Sequence, residues 1–554
     1  MEGLGQELET MRRVPLAQSH VDEICKIGGE RTYDTGEVVM QVGKPMDTFV
    51  YVLEGELEVV DPYTDERMFE HGLGPTQFMG EIGFLNGATA YLKMRASKPT
   101  RVIEAPREEM LELMSRIPEL SDHIITVFAA RRRKQFEDSN GAVKIIGADR
   151  DPAVQEVERF LSRNRIPFQS FDMDATDQET AHVCDLTGHE PSVILGQDRK
   201  LQNPSPRKVA QYLNLDIDVC QQRVFDLLIV GGGPAGVAAG VYAGSEGLDA
   251  MVVEDMAIGG QAGTSSRIEN YMGFPTGISG TDLTYRGQIQ ALKFGTRFAM
   301  PRRVEALEKR DDGTFCATLD GEGDDASQVC ARAILVSTGV QYRRLPIDRL
   351  REFEGHGIYY AATEMEARFC HNTEVVVIGG GNSAGQAAMF LSRTAKHVHL
   401  LVRSDSLAAS MSSYLTSRLE ADPRITIHYH TEMTELHGED ILEAVTLKGP
   451  DGDRRQDTRA VFIMIGAAPN TQWLSGLVET DEKGFVLTGK EVGRESPFET
   501  GTDGIFAVGD VRAGSVKRVA SAVGEGSVVV SQIWQYLDTI GATHAEPDLE
   551  QESA

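Results

Sequence analysis

The sequence predicts a multidomain chain: a β-roll with helices, a small α/β unit, then two doubly wound α/β domains, one nested in the other. Three observations predict it. Val224–Asp255 reads as strand, glycine turn, helix, strand and acid. Glu374–Val402 repeats strand, glycine turn, helix and strand. Tyr33–Glu70 is a set of short strands punctuated by glycine, a pattern of small β-rolls.

In the first of these stretches, Phe225–Val230 is an apolar run of β-formers, as buried parallel strands are. Gly231, Gly233 and Gly236 follow in GxGxxG spacing. The first permits a tight turn, the second lets a pyrophosphate approach the backbone, and the third lets helix pack on strand. Pro234–Ser245 has helix composition and places a helix N-terminus at the phosphates. Ala250–Val253 is the next strand, and Glu254 ends it about 20 residues past the glycines, where a carboxylate meets a ribose hydroxyl. Strand, glycines, helix, strand and acid in register define a Rossmann-like dinucleotide site.

The chain has 554 residues, 41% of them hydrophobic, enough for several packed cores. Its formal net charge of −29 should repel nucleic acid and anionic membrane. No apolar run reaches the roughly 18 residues of a membrane span. The start, MEGLGQELETMRR, lacks the apolar core of a signal peptide, so a cytoplasmic protein is expected. The six cysteines (Cys25, Cys184, Cys220, Cys316, Cys330, Cys370) lie far apart with no CxxC, a pattern without disulfide or metal spacing.

Residues 1–140 form the first unit. Phe49–Leu53 and Leu57–Val60 flank Glu54-Gly55-Glu56, a hairpin-like turn. Phe78–Ala96 reads FMGEIGFLNGATAYLKMRA, and a helical stretch, Arg107–Lys134, closes on RRRK, expected to be a solvated helix end. This unit resembles the cyclic-nucleotide-binding domain. The resemblance implies that Gly80 and Glu81 open the phosphate cassette, Glu81 taking the ribose. The family's phosphate arginine falls on Ala90, so a charge partner is missing, and cyclic nucleotides should bind weakly or not at all.

Residues 141–220 form a second unit: strand Val143–Ile146, helix Pro152–Ser162, strand Phe168–Met173, strand Ser192–Leu195 after Pro191, a hairpin, and helix Arg207–Leu213. This order resembles glutaredoxins and thioredoxins, in which the matching proline is cis. The family's CxxC position falls on Gly147–Asp151, which holds no cysteine. A scaffold or docking module is implied.

Residues 221–554 resemble the low-molecular-weight thioredoxin reductases. The likeness rests on Gly259-Gly260-Gln261, Glu269-Asn270-Tyr271, the Thr338-Gly339 pair, and GIFAVGDVRAGSVKRVASAVGEGS at Gly504–Ser527. It implies a homodimeric flavoprotein whose FAD domain, 221–340 and 466–554, is interrupted by an NAD(P) domain, 341–465. Gly231, Gly233, Pro234, Ala235 and Gly236 would hold the pyrophosphate, and Glu254 the ribose. Gly260, Gln261 and Asn270 match flavin-contacting positions. Thr338 and Gly339 match a strand end that packs on the cofactor, and Gly509 and Asp510 the pair that binds ribitol. Arg518, Val519 and Ala520 match a triplet at the flavin ring.

In the inserted domain Gly379, Gly381, Asn382, Ser383 and Ala384 form the second fingerprint, alanine replacing its third glycine. The strand His397–Val402 ends without an acid, and Arg403-Ser404 follows. An acid favours NAD and an arginine a 2′-phosphate, so NADPH is expected, with NADH as the alternative.

The family's redox CxxC falls on Ala361, Ala362, Thr363 and Glu364, leaving the catalytic groups unknown. Cys370 is expected to be a buried small hydrophobe. Glu364 and Glu366 are candidate proton donors, although a solvated loop is the simpler role. The expected function is hydride transfer from NADPH to FAD and on to an unidentified acceptor without an internal dithiol. Two alternatives stay open: a reductase of ferredoxin, flavodoxin or a quinone, and a non-catalytic NADPH- or redox-sensing flavoprotein that signals through its N-terminal domains.

Overall fold

The computed structural model describes residues 14–541 apart from short internal stretches, among them 138–142, 174–179, 184–189, 216–222, 322–326 and 363–365. The first unit is a β-roll of two facing sheets. One holds Gly29–Tyr33, Thr100–Pro106, Thr48–Glu54 and Phe78–Met79, and the other Val38–Met40, Lys93–Ala96 and Leu57–Val60. The Glu54-Gly55-Glu56 turn is therefore not a hairpin. Thr48–Glu54 pairs with Thr100–Pro106 and Leu57–Val60 with Lys93–Ala96, so the chain crosses from sheet to sheet at Gly55, whose φ is +95°. Local alternation shows two strands and a turn but not which partner each strand takes.

Ile117-Pro118 divides the following helical stretch into α1 (Arg107–Arg116) and α2 (Pro118–Glu137), since proline lacks the donor that would continue α1. The end of α2 is not simply solvated. Arg132 is 5% exposed and its Nε donates to Glu81 Oε2 at 2.7 Å, while Arg131 Nη1 donates to the Gly80 carbonyl at 2.8 Å. A run of four cations reads as surface in sequence; here the cassette supplies the carboxylate and carbonyl that accept two of them.

The second unit holds α3 (Pro152–Arg163), started by Asp151, whose carboxylate accepts from Ala153 N. Its sheet runs Arg199–Gln202, Ser192–Leu195, Val143–Gly147, Phe168–Asp172, with the last pair parallel. Pro206–Tyr212 is its last helix. The cis peptide among the described residues is Met300–Pro301, so Pro191 does not carry the expected one. The Pro191 carbonyl instead accepts from Asn203 N and closes the hairpin.

The larger domain is built on a sheet ordered Arg297–Ala299, Ala250–Val253, Val224–Val230, Gln328–Val336, Phe315–Leu319, Val304–Lys309, with Ile505–Ala507 also paired to Gln328–Val336. The strands around Val224–Val230 are parallel, and both their faces are buried. Helices α4 (Pro234–Ser245), α5 (Gly280–Lys293) and α6 (Val519–Thr539) cover it. The inserted domain has five parallel strands ordered Ile358–Tyr359, Ala460–Ile463, Glu374–Ile378, His397–Val402, Ile425–Tyr429. A two-stranded ribbon, Val340–Tyr342 against Ala467–Pro469, carries the chain into it and back.

The front units share one apolar core with the larger domain: Tyr285 and Ile289 of α5 pack with residues of both. Polar contacts follow the same seam. Arg132 Nη1 donates to the Arg165 carbonyl at 3.2 Å, Arg165 pairs with Asp282, and Lys293 pairs with Asp122. Arg163 Nη2 donates to the Gly260 carbonyl at 3.0 Å, and Asn164 Nδ2 to the Met256 carbonyl at 3.2 Å. Among the described residues, no helix is long and apolar enough to cross a membrane.

Candidate functional site

Parallel strands that all end at one edge of a sheet open a crevice there. Val224–Val230 ends on Gly231, and Gln328–Val336 ends beside it on Ser337 and Thr338. Gly231 has φ +107°, and a Cβ there would meet Thr338 Cα at 2.9 Å. A Cβ on Gly236 would overlap the Gly231 carbonyl oxygen. Gly233 differs: its backbone is ordinary extended chain at φ −68°, and a Cβ there would meet no protein atom within 4 Å. Gly231 and Gly236 are thus required by the fold, whereas Gly233 borders open space at the N-terminus of α4. That is the shape a pyrophosphate needs, and Pro234 and Ala235 open the helix behind it.

Glu254 closes the far side of the turn, accepting from Gly232 N at 2.7 Å and from Met256 N at 3.2 Å. Burial and the neighbouring Asp255 hold its carboxyl above the usual range. Gly260, at φ +51°, approaches Gly233. Gln261 Nε2 donates to the Val340 carbonyl at 2.6 Å, and Thr338 Oγ1 to the Asn470 carbonyl at 2.8 Å, so both flank the ribbon with Gly339. Gly509 lies against Ala235, and Asp510 follows it with its carboxyl raised mainly by burial. Arg518 caps α6, with Val519 and Ala520 in its first turn. The structure gathers these residues at one edge. Asn270 is exposed beside Glu269, whose carboxylate accepts from Arg418 and Tyr414 of the inserted domain. Sequence reasoning missed two supports. Ser337 Oγ donates to the Gly231 carbonyl at 2.8 Å. Glu525 accepts from Gly509 N and Arg512 Nη2, each at 2.7 Å. Serine before the TG pair, and the acid in GEGS, were the available signals.

The second fingerprint folds likewise. Gly379 has φ +145° and no room for a Cβ beneath the Met464 carbonyl. Gly381 precedes the helix Asn382–Leu391, in which Ala384 is fully buried and Ser383 exposed. Asn382 is engaged by the protein: its Oδ1 accepts from Ser412 N at 2.8 Å. Arg403 is exposed at the end of His397–Val402, and Ser404 Oγ donates to the Ser406 carbonyl at 2.8 Å.

Of the 361–364 stretch, Ala362 is described and buried; Ala361, Thr363 and Glu364 lie outside the described residues. Glu366 is buried rather than solvated. Cys370 is fully buried, its Sγ donates to the Glu366 carbonyl at 3.3 Å, and burial pushes its thiol up to about 12. Cys184 and Cys220 lie outside the described residues, and Cys25 is exposed and free. The expectation of no disulfide fails. Cys316 and Cys330 face each other across antiparallel strands, Cα atoms 4.1 Å apart, and are bonded. Spacing rules miss a cross-strand pair because the sheet, not the sequence, sets it. Cys330 pairs with Val224, at the opposite end of that strand from the glycine turn, roughly 20 Å away at about 3.3 Å per residue.

The family model described as "Pyridine nucleotide-disulphide oxidoreductase" matches residues 225–526 and one for the "Cyclic nucleotide-binding domain" matches 30–117. The chain belongs to the pyridine nucleotide-disulphide oxidoreductase family and carries an N-terminal cyclic nucleotide-binding domain. Within that family it sides with the thioredoxin reductases, FAD- and NADPH-using oxidoreductases. It is 34% identical to the thioredoxin reductase of Treponema pallidum over 57% of this chain and 98% of that one. It is 33% identical to the thioredoxin reductase of Mycolicibacterium smegmatis over 55% and 94%. The crystal structure of Lactococcus lactis thioredoxin reductase superposes with a TM-score of 0.52 at 27% identity, covering 57% of this chain and 99% of that one. The enzyme from T. acidophilum gives 0.52 and 27% over 58% and 100%.

Proposed function

We propose that this protein takes hydride from NADPH onto FAD and passes electrons to an external acceptor without a dithiol of its own. The observation that carries this reading is the coexistence of two nucleotide fingerprints with a chain lacking any CxxC. The residues present fit the flavin nucleotide: open space at Gly233, the N-terminus of α4, and the carboxylate of Glu254 meet a pyrophosphate and a ribose. Bound there, FAD supplies a two-electron hydride acceptor. The chain's part is to position and shield. Gly231, Gly233 and Gly236 set the phosphate turn, Gly509 and Asp510 would hold the ribitol, and the positive end of α6 at Arg518–Ala520 would favour negative charge on the bound group. Gly379, Gly381 and Ser383 would receive the second nucleotide, with Arg403 against its 2′-phosphate. Cys316–Cys330 sits at the wrong end of its sheet to take part, and Cys370 is buried as a protonated thiol. Small redox proteins suit this role as acceptors. We assign the second unit to the thioredoxin-like fold as a docking scaffold, on its strand order and its lack of an active-site cysteine pair. A cytoplasmic homodimer completes the reading.

Anaerobic titration tests it. About one NADPH per FAD should bleach the flavin fully, with no second equivalent consumed. Uptake of two equivalents would show an internal redox pair and overturn the reading.

A further inference from the structure

The β-roll holds a cavity of about 330 Å³, at the small end of ligand-binding cavities. That is about twice the roughly 150 Å³ that takes one benzene ring. Its wall is mostly apolar, including Met40, Met46, Met79, Met94, Phe84 and Leu92. Methionine-rich walls adapt to ligands of varied outline. The charged side chains on that wall, among the described residues, are Glu70, Glu81, Arg131 and Lys134, with His71 next to Glu70. Glu81 is taken up within the protein: its Oε2 accepts from Arg132 Nε at 2.7 Å, and its Oε1 is buried. Glu70 and His71 are exposed to water, which screens their charge. Arg131 and Lys134 are half-buried instead, three residues apart on one face of α2. Arg131 is fixed in place, since its Nη1 donates to the Gly80 carbonyl at 2.8 Å and its guanidinium lies over the Phe78 ring, 5.2 Å from the centroid. An apolar chamber with two half-buried cations on one side suits an anion with a hydrocarbon body.

We propose that this cavity binds an apolar carboxylate of about ten carbons, not a cyclic nucleotide. Its carboxylate lies at Arg131 and Lys134, which donate to it as charged groups. Its hydrocarbon body fills the methionine-lined remainder. A cyclic nucleotide finds less there. Ala90 offers its phosphate no charge, and neither oxygen of Glu81 is presented to a ribose, one being held by Arg132 and the other buried.

The test uses the full-length, FAD-loaded protein and three probes, decanoate, 1-decanol and cyclic AMP, read by calorimetry. Decanoate and decanol share a chain length and differ in charge. Decanoate should bind at least about tenfold more tightly, the effect of one hydrogen bond between charged groups. Lys134→Gln keeps the length of the side chain and removes its charge. It should cut the decanoate preference to about threefold or less, and Lys134→Arg should restore it. Val59→Phe, which fills the cavity from its half-buried wall, should weaken both ten-carbon probes. A thermal melt and the flavin content of each variant check that it is folded. Failure of decanoate to bind, or equal binding of decanoate and decanol, would overturn the proposal. So would a decanoate preference unchanged in Lys134→Gln, or decanoate binding unchanged in Val59→Phe, each of which places the binding elsewhere. Cyclic AMP that displaces decanoate would overturn it in favour of a nucleotide site.

Discussion

Gly233 and Gly236 stand three residues apart in one motif, yet the structure demands opposite outcomes from substituting them. Gly233→Val introduces a side chain where the protein has nothing within 4 Å, on a backbone at φ −68° that any residue adopts. The fold should lose only about 1 kcal/mol, the usual penalty of an apolar residue at a helix N-cap. The space it fills is the pyrophosphate's. Displacing that group from two first-turn donors, each worth about 1.5–3 kcal/mol toward a charged acceptor, removes about 3–6 kcal/mol of FAD affinity, or about 10²–10⁴-fold. Gly236→Ala meets the Gly231 carbonyl oxygen instead, so α4 must move off its strand, at about 3 kcal/mol or more of folding stability. Flavin absorbance per protein after desalting, with a thermal melt of each variant, separates the two. Gly233→Val should be folded and colourless, and Gly236→Ala destabilised. A folded Gly233→Val with normal flavin content would refute the placement of the pyrophosphate. So would Gly233→Val protein that fails to fold, since open space cannot cause a clash.

Other consequences are equally open to measurement. Arg403→Ala should weaken NADPH by about 1–3 kcal/mol and leave NADH nearly unchanged, read as the ratio of flavin-reduction constants. Wild-type protein that prefers NADH would refute the role of Arg403. His428 accepts from Arg454 and contacts His399, and burial with that guanidinium lowers its pKa from 6.5 to about 4. The unfolded chain therefore binds the extra proton between those values, and stability should fall as pH drops from about 6.5 to about 4. Discounted for partial exposure, the share of His428 is about 1–2 kcal/mol, which His428→Asn should remove in melts across that range, leaving the smaller contribution of His399, whose pKa burial also lowers. Changing all six cysteines to serine or alanine should leave NADPH-driven flavin reduction intact in folded protein; its loss there would implicate a thiol.

Features carried by contiguous residues were legible in the sequence. Phe225–Glu254 fixes a strand, a turn, a helix and a second strand by local chemistry, and the structure returns Pro234–Ser245 and Ala250–Val253 with those bounds. Glu374–Val402 does the same. What was hidden depends on residues far apart in the chain. Nothing near Gly55 says that its flanking strands join different sheets. Nothing near Arg132 announces Glu81, 51 residues away. Cys316 and Cys330 meet because Phe315–Leu319 lies in register on Gln328–Val336.

The turn Arg163–Arg165 ties the second unit to two places at once: through Arg163 and Asn164 to the loop at Met256 and Gly260, and through Arg165 to the β-roll and α5. These modules are consequently not interchangeable parts. A chain cut at residue 221 would lose the side chains that steady the loop beside its own glycine turn. An engineer grafting this flavoprotein onto another sensor must transplant the seam along with it. A lineage that gained the front modules by fusion could afterwards vary the surfaces of each piece, but not Arg163, Asn164 or Arg165 alone.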